Sequence, residues 1–159
     1  MSRSLLALLC CALLLPAAAA GRNRALWATI NVCDTIAHPD TIGIRGSMPG
    51  TGNAGQQMFM RFQVQFFQAS TQRWHNIPKD GDSGFQLVGN AAAKARQSGW
   101  RFIFAPPSGG SWQMRGAVTL EWRTGSKVDR RVKVLTSAGH RSSAGSDPQG
   151  YSADTCVIS

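Results

Sequence analysis

The sequence predicts an all-β fold: one antiparallel β-sandwich of the immunoglobulin or fibronectin kind, with about seven or eight strands. Three observations carry this. Apolar residues recur with a period of two through most of the chain beyond residue 25. Short runs of that kind are separated by turns rich in Gly and Pro. Almost no stretch has a helical period.

The chain opens with MSRS, continues with LLALLCCALLLP and then AAAAG. A basic start, an uninterrupted apolar run and a small-residue segment are the three parts of a secretory signal peptide. As a helix, Leu5–Leu15 is roughly 16 Å long, short of the roughly 30 Å hydrocarbon core. Ala18-Ala19-Ala20 before Gly21 places cleavage after Ala20. Residues 1–20 are therefore expected to be a signal peptide and residues 21–159 a single domain, large enough to bury roughly two-thirds of its surface. Export then predicts a secreted or envelope-associated location, with no membrane span in the mature chain.

Of the four cysteines, Cys10 and Cys11 leave with the signal. The remaining Cys33 and Cys156 form an isolated pair in an oxidising compartment, which predicts one disulfide. Zinc wants four ligands, and an isolated cysteine pair supplies two. The two lie near the first and last strands, so the bridge is expected to staple the termini.

The elements follow in order. In LWATINVC (26–33), Leu26, Ala28, Ile30 and Val32 alternate with Trp27, Thr29, Asn31 and Cys33. In MFMRFQVQFF (58–67), Met58, Met60, Phe62, Val64 and Phe66 share one face of a half-buried strand. WRFIF (100–104) alternates in the same way until Pro106-Pro107 stops it. Shorter strand candidates are 42–46, 73–77, 85–88 and 155–158. Residues 91–98 read equally well as a short helix or a loop, and 136–150 as a long Ser/Gly-rich loop.

The clearest predicted element is a hairpin over 112–123 and 127–135. Its apolar residues fall at even positions in both arms, and opposed residues share a face. An odd loop, Thr124-Gly125-Ser126, satisfies this. It would set Trp122 against Val128, Val118 against Val132, Arg123 against Lys127 and Thr119 against Arg131. Arg115, Arg123, Lys127, Arg131 and Lys133 would then form a cationic stripe on the outer face.

GDSG (81–84) resembles the nucleophile segment of chymotrypsin-like proteases, and TSAGH (136–140) their histidine segment. In that family the histidine precedes the serine, whereas Ser83 here precedes His140. The fold also needs two barrels, and one domain of this length cannot supply both. GDSG therefore reads as a polar turn. Asp80-Gly81-Asp82 lacks the later ligands of a calcium loop. His38 with Asp34 and Asp40 reads first as local hydrogen bonding and second as a cation site or base. Glu121 is the sole glutamate, so no glutamate pair of glycosidase type exists. No enzyme, metal site or cofactor is expected.

The formal net charge is +9, and it becomes +8 when Arg3 leaves with the signal. Such a balance attracts polyanions at low salt. Export and the core-facing aromatics argue against nucleic acid. The expected partner is an anionic envelope polymer or an acidic protein, with an inhibitor or ligand-binding protein acting through loops 34–41 and 136–150 as the alternative.

ATINVCDTIAHPDTIGIRGSMPGTG, MFMRFQVQFF, GDSGF, RFIFAPP and TSAGHRSSAGSDPQGYSADTC resemble the wording of small, uncharacterised secreted proteins of high-GC Gram-positive bacteria. The resemblance implies a β-sandwich with one disulfide and contributes no catalytic residue.

Overall fold

The computed structural model describes residues 25–159. The expected signal segment, residues 1–20, lies outside them. Nine strands follow one another: β1 Trp27–Thr35, β2 His38–Pro49, β3 Gln57–Gln68, β4 Arg73–Asn76, β5 Asp82–Asn90, β6 Ala95–Ile103, β7 Trp112–Thr124, β8 Lys127–Leu135 and β9 Thr155–Ile158. They form two antiparallel sheets, a β-sandwich as the alternation predicts, with nine strands rather than seven or eight. The first sheet has the order β1-β2-β6. In the second, β3 and β7 pair at the centre, β4 and β5 share the far edge of β3, and β8 and β9 share the far edge of β7.

The core is built from the faces the alternation assigns. Ala28, Ile30, Ile42, Ile44 and Met48 come from the first sheet, and Met58, Met60, Phe62, Val64, Met114, Val118, Leu120 and Trp122 from the second. The Trp122 indole N–H donates to the Pro49 carbonyl at 2.9 Å, so this large side chain is buried with its polar atom satisfied.

Three expectations need correction. The 91–98 segment is not a helix: β6 begins at Ala95 and pairs with β2 along its whole length. Its first residues are polar because β6 is an edge strand, where one side of the ladder meets water.

The hairpin register also differs. The turn has two residues, Gly125-Ser126, closed by Thr124 opposite Lys127, with Gly125 at φ +59°. Two-residue hairpin turns favour positive φ at that position. A bulge at Asp129 then restores the parity, so Trp122 opposes Arg130, Leu120 opposes Val132 and Val118 opposes Val134. Even still faces even, two residues further along than a three-residue loop would place it.

The third correction is in β1, where a bulge between Ile30 and Val32 shifts the alternation. Cys33 now opposes the core residue Ile42, while Val32 opposes Gly43 and is buried outside the main core cluster. Cys33 thereby reaches Cys156 on β9, with a Cα–Cα distance of 5.5 Å. The disulfide thus joins the two sheets as well as the two ends of the domain.

Candidate functional site

Four of the five stripe residues, Arg115, Arg123, Arg131 and Lys133, lie on the outer face of the second sheet, but their charges are not free in equal measure. Glu121 is fully buried on that face, directly opposite Arg131 and two residues from Arg123. Its carboxylate accepts from Arg123 Nε at 2.6 Å and is paired with Arg131. A buried carboxylate without such partners would be expensive, so this arrangement is structural. The Arg123 guanidinium also stacks over Phe59 at 4.1 Å and Phe85 at 4.6 Å.

Arg115 donates to Gln65 at 2.8 Å and lies over Trp74 at 4.4 Å, where burial lowers its pKa. Lys127 opposes Thr124, one step out of phase with Arg123, and its Nζ is 3.8 Å from Asp129. Lys133 opposes Thr119 and is exposed. The expected pair of like charge, Arg123 with Lys127, is therefore not formed. The register replaces it with a carboxylate between two guanidiniums.

Ser83 and its flanking residues are accounted for by a further bulge, in β5. Arg61 opposes Phe85 and Gln63 opposes Asp82, which leaves Phe62 facing both Ser83 and Gly84. The Phe62 N–H donates to Ser83 Oγ at 2.9 Å, and that hydroxyl donates to the Gly84 carbonyl at 2.8 Å. Gly84 has φ +64°, and Asp82 accepts from the Gly84 N–H at 2.9 Å while pairing with Arg61. Arg61 holds the Asp82 carboxyl below its ordinary pKa. His140 belongs to a different neighbourhood: it stacks on Trp27 with ring centroids 4.5 Å apart.

The Asp34–His38–Asp40 turn is held by local hydrogen bonds. Asp34 accepts from the backbone N–H of Asp40 at 2.8 Å and of Ser159 at 3.4 Å. Among the described residues no group of three His, Cys, Asp or Glu side chains is placed to hold a metal ion, and no helix is long and apolar enough to cross a membrane.

A feature the sequence reading missed lies on the outer face of the first sheet. A cavity of about 280 Å³ is lined there by Asn31, Arg45, Gly99, Arg101, Ala144 and Gly145. Arg45 opposes Gly99, and Arg101 opposes Gly43. The 136–150 loop forms one wall because the Asn31 amide donates to the carbonyls of Ala144 at 3.2 Å and Gly145 at 3.0 Å.

No protein-family model matches the chain, and no curated protein is similar to it. Among solved structures, it is similar to part of a glycosyl hydrolase family 2 member from Bacteroides cellulosilyticus DSM 14838, at 10% identity and a TM-score of 0.39. The match covers 70% of this chain and 14% of that one, and at this distance it carries no argument about activity.

Proposed function

We propose that the protein is a secreted, non-enzymatic β-sandwich module that binds an anionic polymer at the cell exterior. The observation that supports this is the imbalance of its charges. The ion pairs among the described residues use Arg61, Arg123, Lys127 and Arg131. No ion pair among them involves Arg45, Arg101, Arg115, Arg130 or Lys133, and the expected mature chain carries +8. Unpaired surface cations attract polyanions and release condensed counterions on binding. On the hairpin the exposed cations outside any ion pair are Arg130 and Lys133, while Lys127 and Arg131 are exposed but paired with Asp129 and Glu121. The hydroxyl of Ser83 is engaged with the backbone on both sides, which favours a binding role for the module over acyl transfer.

The test is a salt titration against immobilised polyphosphate, a teichoic-acid-like polyanion. Reversing Lys127 and Lys133 to Glu leaves the Glu121 cluster intact. Wild-type affinity should fall steeply with salt, and the double variant should bind more weakly with a shallower slope. Equal affinity and slope in the two proteins would reduce the hairpin charges to a solvated face.

A further inference from the structure

We infer that the cavity on the outer face of the three-stranded sheet is a site for a single oxyanion group, phosphate or carboxylate, held between Arg45 and Arg101. The site lies on the opposite sheet from the hairpin charges and does not rest on the polymer reading.

Arg45 sits in β2, the middle strand of its sheet, and is only partly exposed. Its Nε is shut off from solvent and has no hydrogen-bond partner among the described residues. No carboxylate there pairs with it, and burial lowers its pKa with no neighbouring acid to raise it. A partly desolvated guanidinium without a partner is a net cost to folding, because its donors lose water and gain nothing.

Arg101 adds to that cost. It projects from β6 beside the cavity, and it too has no ion pair among the described residues. Two like charges on adjacent strands disfavour each other. By contrast, the second sheet pairs Glu121 with Arg123 and Arg131, and Asp82 with Arg61. The first sheet's cavity is lined by two arginines and no acid, which leaves room for an anion from outside.

The cavity's shape agrees with that charge. Gly99 lies directly across from Arg45, and a Cβ there would come 3.0 Å from the Ile44 carbonyl and 3.3 Å from Arg45 Cδ. The Arg45 stem therefore runs across a position where any larger residue would crowd it. Asn31 anchors the loop wall through its amide nitrogen, so the wall is tied to the sheet. A volume of about 280 Å³ admits an oxyanion with part of its substituent, but not a folded partner. Guanidinium groups suit this ligand because their fork of N–H donors matches the oxygens of carboxylate and phosphate.

The experiment follows the arginine Nε–Hε resonances of the exported protein by NMR at low salt. Inorganic phosphate and glucuronate are titrated separately, and the tighter ligand identifies phosphate or carboxylate as the favoured group. The Arg45 resonance should shift saturably with at least one of them. Arg45→Met and Arg101→Gln should each weaken that binding at least about tenfold, the loss expected for one charge-assisted contact. Without ligand, Arg45→Met should melt at or above the wild-type temperature, because it removes an uncompensated charge. Arg101 is exposed, so Arg101→Gln keeps the test valid should Arg45→Met fold poorly. The Lys127→Glu/Lys133→Glu protein should bind the small anions as wild type does, which separates this site from polymer binding. A linear, non-saturating shift with both anions, or equal affinity in wild type and Arg101→Gln, would overturn the inference.

Discussion

Ser83 Oγ accepts the Phe62 N–H at 2.9 Å at the point where β5 carries one residue more than β3. The bulge removes the ladder partner of that amide, and the hydroxyl replaces it. Ser83→Ala should therefore leave an orphan donor beside the core residue Phe62 and destabilise the domain by about 1–3 kcal/mol. Urea unfolding of the two proteins measures this. In parallel, a fluorophosphonate probe should leave the wild-type serine unlabelled. Stoichiometric labelling, or unchanged stability in Ser83→Ala, would contradict the structural role.

Glu121 supports a second prediction. Its carboxylate is fully buried and shared between Arg123 and Arg131. Glu121→Gln should cost about 3 kcal/mol, since removing one member of a buried ionic group strands the others. Arg131→Ala should cost less than about 1 kcal/mol, as its guanidinium is mostly exposed. A denaturant series that reversed this order would refute the assignment of Glu121 as the buried centre.

Legibility differed from element to element. The alternation in 58–67 and 112–123 was enough to place Met58, Met60, Phe62, Val118, Leu120 and Trp122 in the core. That is because both strands are central and one face of each is buried. The bulges at Asn31, Ser83-Gly84 and Asp129 were not legible, because a bulge adds a residue without changing local composition. Each one moved a pairing: the first turned Cys33 toward the other sheet, and the last set Arg131 against Glu121. Arg45 was not legible for a different reason. In the sequence it is one arginine within TIGIRGSM, and its lack of a partner appears only when β6 and the 144–145 segment are placed around it.

The disulfide yields a third prediction. It closes a separation of 123 residues and joins β1 to β9 across the sandwich. Its removal in Cys33→Ser/Cys156→Ser should lower stability by about 2–5 kcal/mol, mostly through the unfolded chain. Intact mass before and after reduction and alkylation establishes the bond, and the urea midpoint gives its effect. Two free thiols in freshly purified, unreduced protein would exclude it.

His140 gives the pH dependence. It stacks on Trp27 with an interplanar angle of 12°, and burial lowers its pKa below the ordinary value. Around that value the unfolded chain then binds more protons than the folded one. The histidine's contribution is thus fully present above the unfolded pKa of about 6.5 and is lost as pH falls through the lower folded value. Melting temperature should drop from pH 7 toward pH 5, and the drop should be smaller in His140→Phe, which keeps the stack without the titration. Carboxylates such as Asp82 act at lower pH, where protonation removes the Arg61 pair. An identical pH profile in wild type and His140→Phe would assign the effect to other groups.

The last prediction concerns the long segment after β8, which supplies the missing neighbour of β1. Ser137 N–H donates to Ala28 O at 2.9 Å, and Asp147 N–H donates to Asn31 O at 2.9 Å. Ile30 and Ala153 exchange both of their backbone hydrogen bonds. A bare edge strand invites pairing with another chain, and this segment covers the edge without being a strand. The amides of Ser137, Asp147 and Ala153 should therefore exchange slowly with solvent although they lie outside any strand. Asn31→Ala removes the two side-chain bonds to Ala144 and Gly145 and should cost about 1–2 kcal/mol locally. Its signature is faster exchange at Asp147, next to the lost anchor, with Ile30 and Ala153 much less affected. Self-association should rise in the variant as the edge is uncovered. Rapid exchange at all three amides in the wild-type protein would mean that the segment does not guard the edge.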